Sequence, residues 1–154
     1  MRPAELCEQV LAEAAQIARA RGVTLDVATG PAVAGAPEAP LDRTALARAA
    51  ANLVANAAEH AHSRVAVSCD VAGGYLVIEV ADDGPGFSPA ALERGCERLF
   101  TDDSSRSSRD GGRHYGLGLH VAFEAASAHG GSVSLANGPS GGAVATIAVP
   151  LCGI

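Results

Sequence analysis

The sequence predicts an α/β sandwich of the α+β class, in which helices cover one face of a mixed, mostly antiparallel sheet. Long stretches place apolar residues at helical spacing, and shorter ones alternate apolar and polar residues as half-buried strands do. Their order along the chain is helix, strand, helix, two strands, helices and two strands. The 154 residues suit one domain, 1–154.

The composition argues against several classes of protein. Hydrophobic residues make up 48% of the chain and aromatics only 3%, so a core must be built from Ala, Val, Leu and Ile. The net charge of -6 and the lack of a basic stripe argue against nucleic-acid binding. No apolar run reaches the roughly 20 residues of a membrane span, and glutamates interrupt any signal-peptide pattern. No Cys-x-x-Cys pair occurs, so neither a zinc site nor a disulfide framework is expected, and a reducing cytoplasm fits best. The cysteines are Cys7, Cys69, Cys96 and Cys152.

The first part of the chain predicts a helix, a strand and a loop. Pro3–Arg21 has an amphipathic helical pattern, and Gly22 is placed to cap its C-terminus. Alternation over Val23–Val27 predicts a half-buried strand. Thr29–Pro40 is rich in Gly, Ala and Pro and predicts a loop, after which Asp42 can cap a second helix.

The second helix, Ala45–Ala61, carries two stripes. Ala and Leu dominate it, and neither Gly nor Pro interrupts it. The apolar stripe contains Leu46, Ala50, Leu53 and Ala57. The polar stripe beside it, at four-residue spacing, contains Asn52, Asn56 and His60. Asparagine is a mediocre helix former, so its presence here indicates either a ligand site or hydrogen bonds to a neighbouring loop.

The remainder predicts a hairpin, helices and two final strands. The strands over 65–71 and 76–80 are joined by a turn at Gly73 and Gly74. Ser88 and Pro89 begin a short helix, and a longer one covers 116–129. Strands are predicted at 133–135 and 143–149, on either side of a turn at 137–142. The polar stretch 100–115 is long enough to be a lid or binding loop, or alternatively a surface insertion.

Two glycine-containing motifs suggest ligand chemistry. Asp82 follows a strand, where its carboxylate can accept a hydrogen bond from an exocyclic amine, and Gly84 and Gly86 let the backbone approach a flat ring. An ordinary Asp-Gly turn is the alternative. Gly116 and Gly118 open a helix, where backbone N–H groups and the positive helix end can hold a phosphate. The alternative is that glycine at this helix start serves packing alone. An Asn oxygen suits Mg²⁺, which binds phosphate as well.

The order and spacing of these motifs resemble those of the catalytic and ATP-binding domain of sensor histidine kinases. Asn52-Leu-Val-Ala-Asn56-Ala-Ala-Glu-His60 resembles its N-box, and Asp82-Asp-Gly84-Pro-Gly86-Phe87 its first glycine box. Cys96-Glu-Arg-Leu-Phe100 is similar to a degraded phenylalanine box, and Gly116-Leu117-Gly118-Leu119 to the second glycine box. The resemblance implies the Bergerat fold of the GHKL superfamily, which includes gyrase, Hsp90 and MutL, and the cofactors ATP and Mg²⁺.

The resemblance also implies roles for single residues. Asn56 would coordinate Mg²⁺ with help from Asn52, His60 would touch the phosphates and Asp82 would bind the adenine amine. The base would be lined by Gly84, Gly86 and Phe87, and the phosphates held by Gly116, Leu117, Gly118 and Leu119. Glu59 stands where many relatives have Lys or Arg, so it would either point away from the phosphates or position water or metal. It is the one candidate for a catalytic role. The lid residues Arg106, Arg109, Arg113 and His114 could reach the γ-phosphate, or be solvated loop charges.

The implied function is that of a protein-histidine kinase domain in a two-component system. It would transfer the γ-phosphoryl group of ATP to a histidine on a separate dimerisation domain, whose other partner is a response regulator. None of the histidines here has an acceptor context; they are His60, His62, His114, His120 and His129. The domain would be cytoplasmic, alone or as the cytoplasmic part of a membrane-bound sensor, without membrane contact of its own. A serine kinase or anti-sigma factor of the same superfamily and a non-catalytic ATP-binding scaffold are the alternatives. A gyrase-like ATPase fits less well, because Asn52 occupies the place of its catalytic Glu.

Overall fold

The computed structural model describes residues 1–93 and 116–152, and of 116–118 it describes the backbone only. Its helices are α1 (Pro3–Arg21), α2 (Arg43–His60), α3 (Pro89–Glu93) and α4 (Gly116–Ala128). Its strands are β1 (Thr24–Thr29), β2 (Arg64–Ala72), β3 (Tyr75–Asp82), β4 (Ser132–Asn137) and β5 (Ala143–Pro150). The predicted lid (100–115), with its Arg and His residues, and the predicted phenylalanine box lie outside the described residues.

The strands form one five-stranded sheet in the order β1-β2-β3-β5-β4. β1 pairs with β2 in parallel, and the other neighbours are antiparallel. Buried residues alternate along β2, β3 and β5, because successive side chains of a strand point to opposite faces. The predicted α+β class with a mixed, mostly antiparallel sheet is confirmed.

Helices α1, α2 and α4 form the second layer, with α2 between the other two. α2 can occupy the middle position because the small, fully buried side chains of Ala49 and Ala50 let the neighbouring helices come close. Large side chains from both layers, such as Leu46 and Ile78, fill the interface between helices and sheet. This arrangement brings the polar stripe of α2 to the edge of the sheet where β3 ends.

The predicted helix caps are confirmed by their geometry. Oδ1 of Asp42 accepts a hydrogen bond from Ala45 N–H at 3.1 Å, as an N-cap does. Gly22 ends α1 with a φ of 72°, in the left-handed region that favours glycine.

A side chain just after α4 joins that helix to the start of α2. His129 Nε2 accepts a hydrogen bond from Asp42 N–H at 3.0 Å, and its Nδ1 lies 2.7 Å from Ala125 O. One imidazole therefore connects the start of α2 to the last turn of α4.

The first strand differs from the prediction in length and burial. It runs to Thr29 rather than Val27, because the parallel register with β2 continues as far as Cys69. Val27 is 55% exposed although the alternation placed it on the buried side. β1 is an edge strand, and a groove of about 590 Å³ lies between it and α1, so α1 does not cover Val27. In the part of the chain that is described, no helix combines the length and apolar character needed to cross a membrane.

Candidate functional site

The site is centred on Asp82, the last residue of β3. Its position in the strand turns the side chain toward the helical layer, and it is only 9% exposed. Oδ1 accepts hydrogen bonds from the N–H of Gly84 at 2.9 Å and of Ala143 at 3.4 Å. A carboxylate out of bulk water needs such donors, and these fix its orientation.

Asp82 and Asn56 line the same small cavity. Asn56, on α2, and Phe87, after β3, form its walls together with five apolar residues: Leu53, Ala57, Val80, Ala143 and Ala145. Its volume is about 10 Å³, room for a single water at most. The structure therefore brings together the residue predicted to bind Mg²⁺ and the residue predicted to bind the adenine amine. A purine can enter only if these walls separate.

The other members of the polar stripe follow α2 on either side of Asn56. Asn52 and His60 are both half-buried, one turn before and one turn after it. Glu59 is exposed on the same turn as His60. The stripe predicted from the spacing is thus present, and Glu59 is the member of this segment that faces solvent.

The glycines after Asp82 are held by contacts within the chain. A Cβ at Gly84 would lie 2.2 Å from the carbonyl oxygen of His60, so Gly84 allows the loop to touch the end of α2. Gly86 has a φ of 83°, and a Cβ there would lie 2.2 Å from Gly141 O. Both glycines are needed by the fold itself, whatever else they contact.

Asn137 holds the same loop from the far side, a role that the sequence did not predict. Its Oδ1 accepts a hydrogen bond from Phe87 N–H at 2.7 Å, and its Nδ2 donates one to Phe87 O at 3.0 Å. One amide therefore satisfies both backbone groups of Phe87, whose ring is buried. The sequence marked Asn137 only as the beginning of a turn, since no local spacing relates it to a residue 50 positions away.

Gly142 approaches the site even more closely. A Cβ at this position would lie 1.8 Å from the carbonyl oxygen of Asp82. The turn between β4 and β5 can therefore press against the end of β3 only if residue 142 has no side chain. The Gly141-Gly142 pair could have signalled such a contact, but its partner could not be read from the sequence.

Asp83 also has a role that the sequence did not predict. Its carboxylate accepts hydrogen bonds from the N–H groups of Ser63 (3.0 Å), Arg64 (3.1 Å) and His62 (2.8 Å) and from the Ser63 hydroxyl (2.8 Å). These bonds, that of Ser63 N–H foremost, hold the pKa of this carboxyl well below its usual range. Asp83 thereby fastens the connection between α2 and β2 next to the site.

The second glycine motif, at Gly116 and Gly118, lies at the beginning of α4. Gly116 is its first helical residue, consistent with the predicted helix start. Leu119 is 1% exposed and belongs to the core, so only its backbone could contact a phosphate. Among the described residues, no group of three or more His, Cys, Asp or Glu side chains could hold a metal ion. A Mg²⁺ ion at this site would instead rely on the Asn56 oxygen and phosphate oxygens.

A larger groove, of about 640 Å³, lies away from these residues. It is bordered by Pro40–Asp42, Ala128–Gly130 and residues near the end of β5. Its polar ring, His129, already makes two hydrogen bonds within the chain. Size alone would favour this groove, but the converging polar side chains of a ligand site are found at Asp82 and Asn56.

Comparison with known proteins identifies a family that this chain matches. Residues 41–153 match the family described as histidine kinase-, DNA gyrase B-, and HSP90-like ATPase. The signal transduction histidine-protein kinase AfsQ2 of Streptomyces coelicolor is 41% identical over 100 residues. That match covers 65% of this chain and 18% of AfsQ2, so the chain spans a small part of that relative's length.

Two solved structures have the same fold. The catalytic domain of histidine kinase ThkA matches with a TM-score of 0.75 at 19% identity, covering 99% of this chain and 94% of that domain. Full-length ShkA in complex with AMPPNP matches with a TM-score of 0.69 at 22% identity, covering 98% of this chain and 30% of ShkA. The likeness to both structures confirms the predicted Bergerat fold.

Proposed function

We propose that this chain, which belongs to the family of histidine kinase-, DNA gyrase B- and HSP90-like ATPases, is the ATP- and Mg²⁺-binding catalytic domain of a sensor histidine kinase. The observation that carries the proposal is the shared cavity of Asp82 and Asn56. A fixed carboxylate can accept a hydrogen bond from the adenine amine, and the amide oxygen of the half-buried Asn56 suits a hard cation. The AMPPNP complex of ShkA supports ATP as the nucleotide class.

In this proposal the predicted site residues bind the base, the metal ion and the phosphates. Asp82 reads the amine of the base, while Gly84, Gly86 and Phe87 form the wall beside it. Asn56, assisted by Asn52, holds Mg²⁺, which neutralises phosphate charge when bound, and His60 contacts the phosphates. The backbone from Gly116 to Leu119 holds the phosphates at the start of α4. Transfer then depends on positioning and on charge neutralisation.

The acceptor is proposed to be a histidine on a separate dimerisation domain, which passes the phosphoryl group on to a response regulator. None of the five histidines of this chain stands in the sequence context of an acceptor, and His60 is proposed as a phosphate ligand. ATP and response regulators are found in the cytoplasm, so we place the domain there, alone or as part of a membrane-bound sensor. The match to AfsQ2, a signal transduction histidine-protein kinase, supports this assignment.

Nucleotide binding is tested by titration calorimetry with ATP, with and without Mg²⁺. We expect Mg²⁺ to strengthen binding in the wild type, and the Asn56→Ala variant to lose most of this strengthening. The Asn52→Ala variant should lose less, because Asn52 only assists. Arg43→Gln, exposed at the first residue of the same helix, is the matched control and should bind as the wild type does. Equal Mg²⁺ dependence in the wild type and Asn56→Ala would remove Asn56 from the metal site.

Phosphoryl transfer is tested with radiolabelled ATP. The chain alone should acquire no acid-labile label, whereas adding the histidine-bearing dimerisation domain that accompanies it should give label on that domain. Label on the chain alone would contradict the division between donor and acceptor. Nucleotide binding without any transfer would leave an ATP-binding scaffold. Loss of transfer in Glu59→Gln, with binding kept, would assign Glu59 a catalytic role.

A further inference from the structure

The outer side of β1 presents backbone groups at an edge of the sheet. Among the described residues, no strand pairs with this side. Thr24 N–H donates to Ser63 O at 2.8 Å, next to β2. Gly30 N–H donates to Cys69 O, also at 2.8 Å, so the even positions of β1 face β2. The odd positions therefore turn their N–H and C=O groups outward, as a template for another strand. They are Leu25, Val27 and Thr29.

An apolar trough runs along this edge between β1 and α1. The groove of about 590 Å³ beside β1 continues into a cavity of about 360 Å³, since Leu11 borders both. Every second residue of the strand segment lines this α1/β1 trough: Val23, Leu25, Val27 and Thr29. Val27, near the middle, is 55% exposed. Apolar surface gathered in a trough beside an open strand edge indicates a docking surface.

The α1 wall of the trough has opposite charges at its two ends. Glu8 lines it near the end of β1, and Arg19 lines it near the beginning of β1. Ala12 and Ala15 lie between them, and the spacing of all four residues places them on one side of the helix. The small alanines leave room for a second helix to approach to the usual 8–10 Å.

We propose that the α1/β1 trough is the interface of a homodimer, in which β1 pairs antiparallel with β1 of a second copy. The twofold axis stands perpendicular to the sheet, so two five-stranded sheets become one continuous sheet with both helical layers on the same side. This axis turns the second trough end for end. Glu8 of each copy then approaches Arg19 of the other, and this charge complementarity favours a second copy as the occupant.

The alternation of β1 selects the register of the pairing. Directly opposite residues of an antiparallel pair lie on the same face, so two registers pair nearly the whole strand, centred on Asp26 or on Val27. The first places two carboxylates opposite each other, which is destabilising. The second uses the outward groups of all three odd positions and buries Val27 against its copy. Asp26 then opposes Ala28 on the other face of the sheet and keeps its ion pair with Arg64.

The proposed interface is separate from the cavity of Asp82 and Asn56. β1 is two strands away from β3, the strand that ends at Asp82. Dimer formation therefore does not rest on nucleotide binding, and it can be measured without nucleotide.

The first experiment is sedimentation equilibrium of the full chain over a range of concentrations. We expect a reversible dimer. Val27→Lys places two cations together at the twofold axis and should raise the dissociation constant at least about tenfold. Ser134→Lys, exposed on β4 at the opposite edge of the sheet, is the matched control and should dimerise as the wild type does. A wild-type chain that stays monomeric up to millimolar concentration would overturn the proposal and leave the trough to a different partner. Equal weakening by both variants would also overturn it.

Charge reversal tests the antiparallel arrangement. Glu8→Arg and Arg19→Glu should each weaken the dimer by about 3- to 10-fold, because each places like charges at both ends of the interface. The double variant restores opposite charges and should recover most of the wild-type affinity. Circular dichroism confirms that each variant is folded. A double variant that dimerises no better than the single variants would contradict the pairing of Glu8 with Arg19.

Cross-linking tests the register, in a background of Cys96→Ser and Cys152→Ser. Opposite residues of a hydrogen-bonded antiparallel pair have Cα atoms about 5.5 Å apart, within reach of a disulfide. Val27→Cys should therefore form a disulfide-linked dimer under mild oxidation. Asp26→Cys and Ala28→Cys are the neighbouring controls and should not, because neither lies opposite itself. Cross-linking of Asp26→Cys in place of Val27→Cys would overturn the register.

Discussion

Asp82 and Asp83 are identical side chains at adjacent positions, yet they serve different regions of the molecule. Asp82 points into the interface with the helices and lines a cavity with Asn56. Asp83 points the other way and binds three backbone N–H groups and a hydroxyl in the connection between α2 and β2. The alternation of a β-strand separates the two directions.

The comparison teaches how a binding site is given its rigidity. The Asp82 side is surrounded by contacts that tolerate no change of shape, such as Gly142 against its carbonyl and Asn137 on Phe87. The Asp83 side closes a loop near the surface with hydrogen bonds that solvent partly screens. Substitutions on the Asp82 side should therefore affect ligand binding or local geometry. Substitutions on the Asp83 side should cause mainly modest losses of stability.

The largest effect is expected at Gly142. In Gly142→Ala the new methyl group would lie 1.8 Å from the Asp82 carbonyl oxygen, so backbone must move. We expect a loss of roughly 4 kcal/mol of unfolding free energy, or failure to fold. The control is Gly35→Ala, where an added Cβ meets nothing within 4 Å and φ lies outside the left-handed region. Urea unfolding of both variants checks this, and similar stabilities would show that the contact is not tight.

The next effect concerns ligand binding at Asp82. Asp82→Asn should weaken ATP binding by about 2–4 kcal/mol, because an amide NH₂ and the adenine amine would face each other as two donors. Asn can still accept from Gly84 N–H, so the fold should persist. Asp83→Asn, one residue along, is the matched control and should keep the affinity of the wild type. Equal affinities in all three proteins, measured by calorimetry, would mean that Asp82 does not contact the base.

Asn137 should come third. Asn137→Ala removes both hydrogen bonds to the Phe87 backbone, with an expected loss of about 1–3 kcal/mol of unfolding free energy. Asn137→Asp keeps the acceptor for Phe87 N–H but turns a carboxylate oxygen toward Phe87 O, so its loss at neutral pH should be no smaller and should lessen in acid, where the carboxyl can donate. Thermal unfolding separates the two. An alanine variant as stable as the wild type would show that water replaces the amide without cost.

The smallest effect is expected at Asp83 and depends on pH. Asp83→Asn should lose about 1–2 kcal/mol at neutral pH, since hydrogen bonds to a charged acceptor are weakened by solvent screening. The pKa of Asp83 is lowered by folding, so its contribution is present above the unfolded value of about 3.9 and is lost as the pH falls through the folded value. The stability difference between wild type and variant should therefore be constant near pH 7 and shrink in acid. A difference that grows in acid would contradict the assignment.

The parts of the molecule that could be predicted from the sequence are those specified by neighbouring residues. The bounds of α2, its Asp42 cap and its polar stripe follow from composition and spacing within one turn of helix. The place of Asp82 follows from the strand before it. Local rules were sufficient for the fold class. That Asn56 and Asp82 serve one site followed from the resemblance to histidine-kinase domains, because each motif alone left an alternative open.

The contacts that hold the site could not be predicted, because their partners lie far apart in the chain. Asn137 is 50 positions from Phe87, and Gly142 meets Asp82 only after β3 and β5 have paired. The exposure of Val27 depends on β1 being an edge strand, which the period of two does not reveal.

The parallel pairing of β1 with β2 affects the order in which the chain can fold. Thr24 pairs with Arg64, 40 positions later, and the segment between them contains α2. β2 and β3, in contrast, are joined directly at Gly73 and Gly74 and can pair outward from that turn. Closing a long loop costs entropy before its contacts form, so we expect the hairpin to form early and β1 to join late. In native-state hydrogen exchange, the amides of β1 should therefore open at a lower free energy than those of β3.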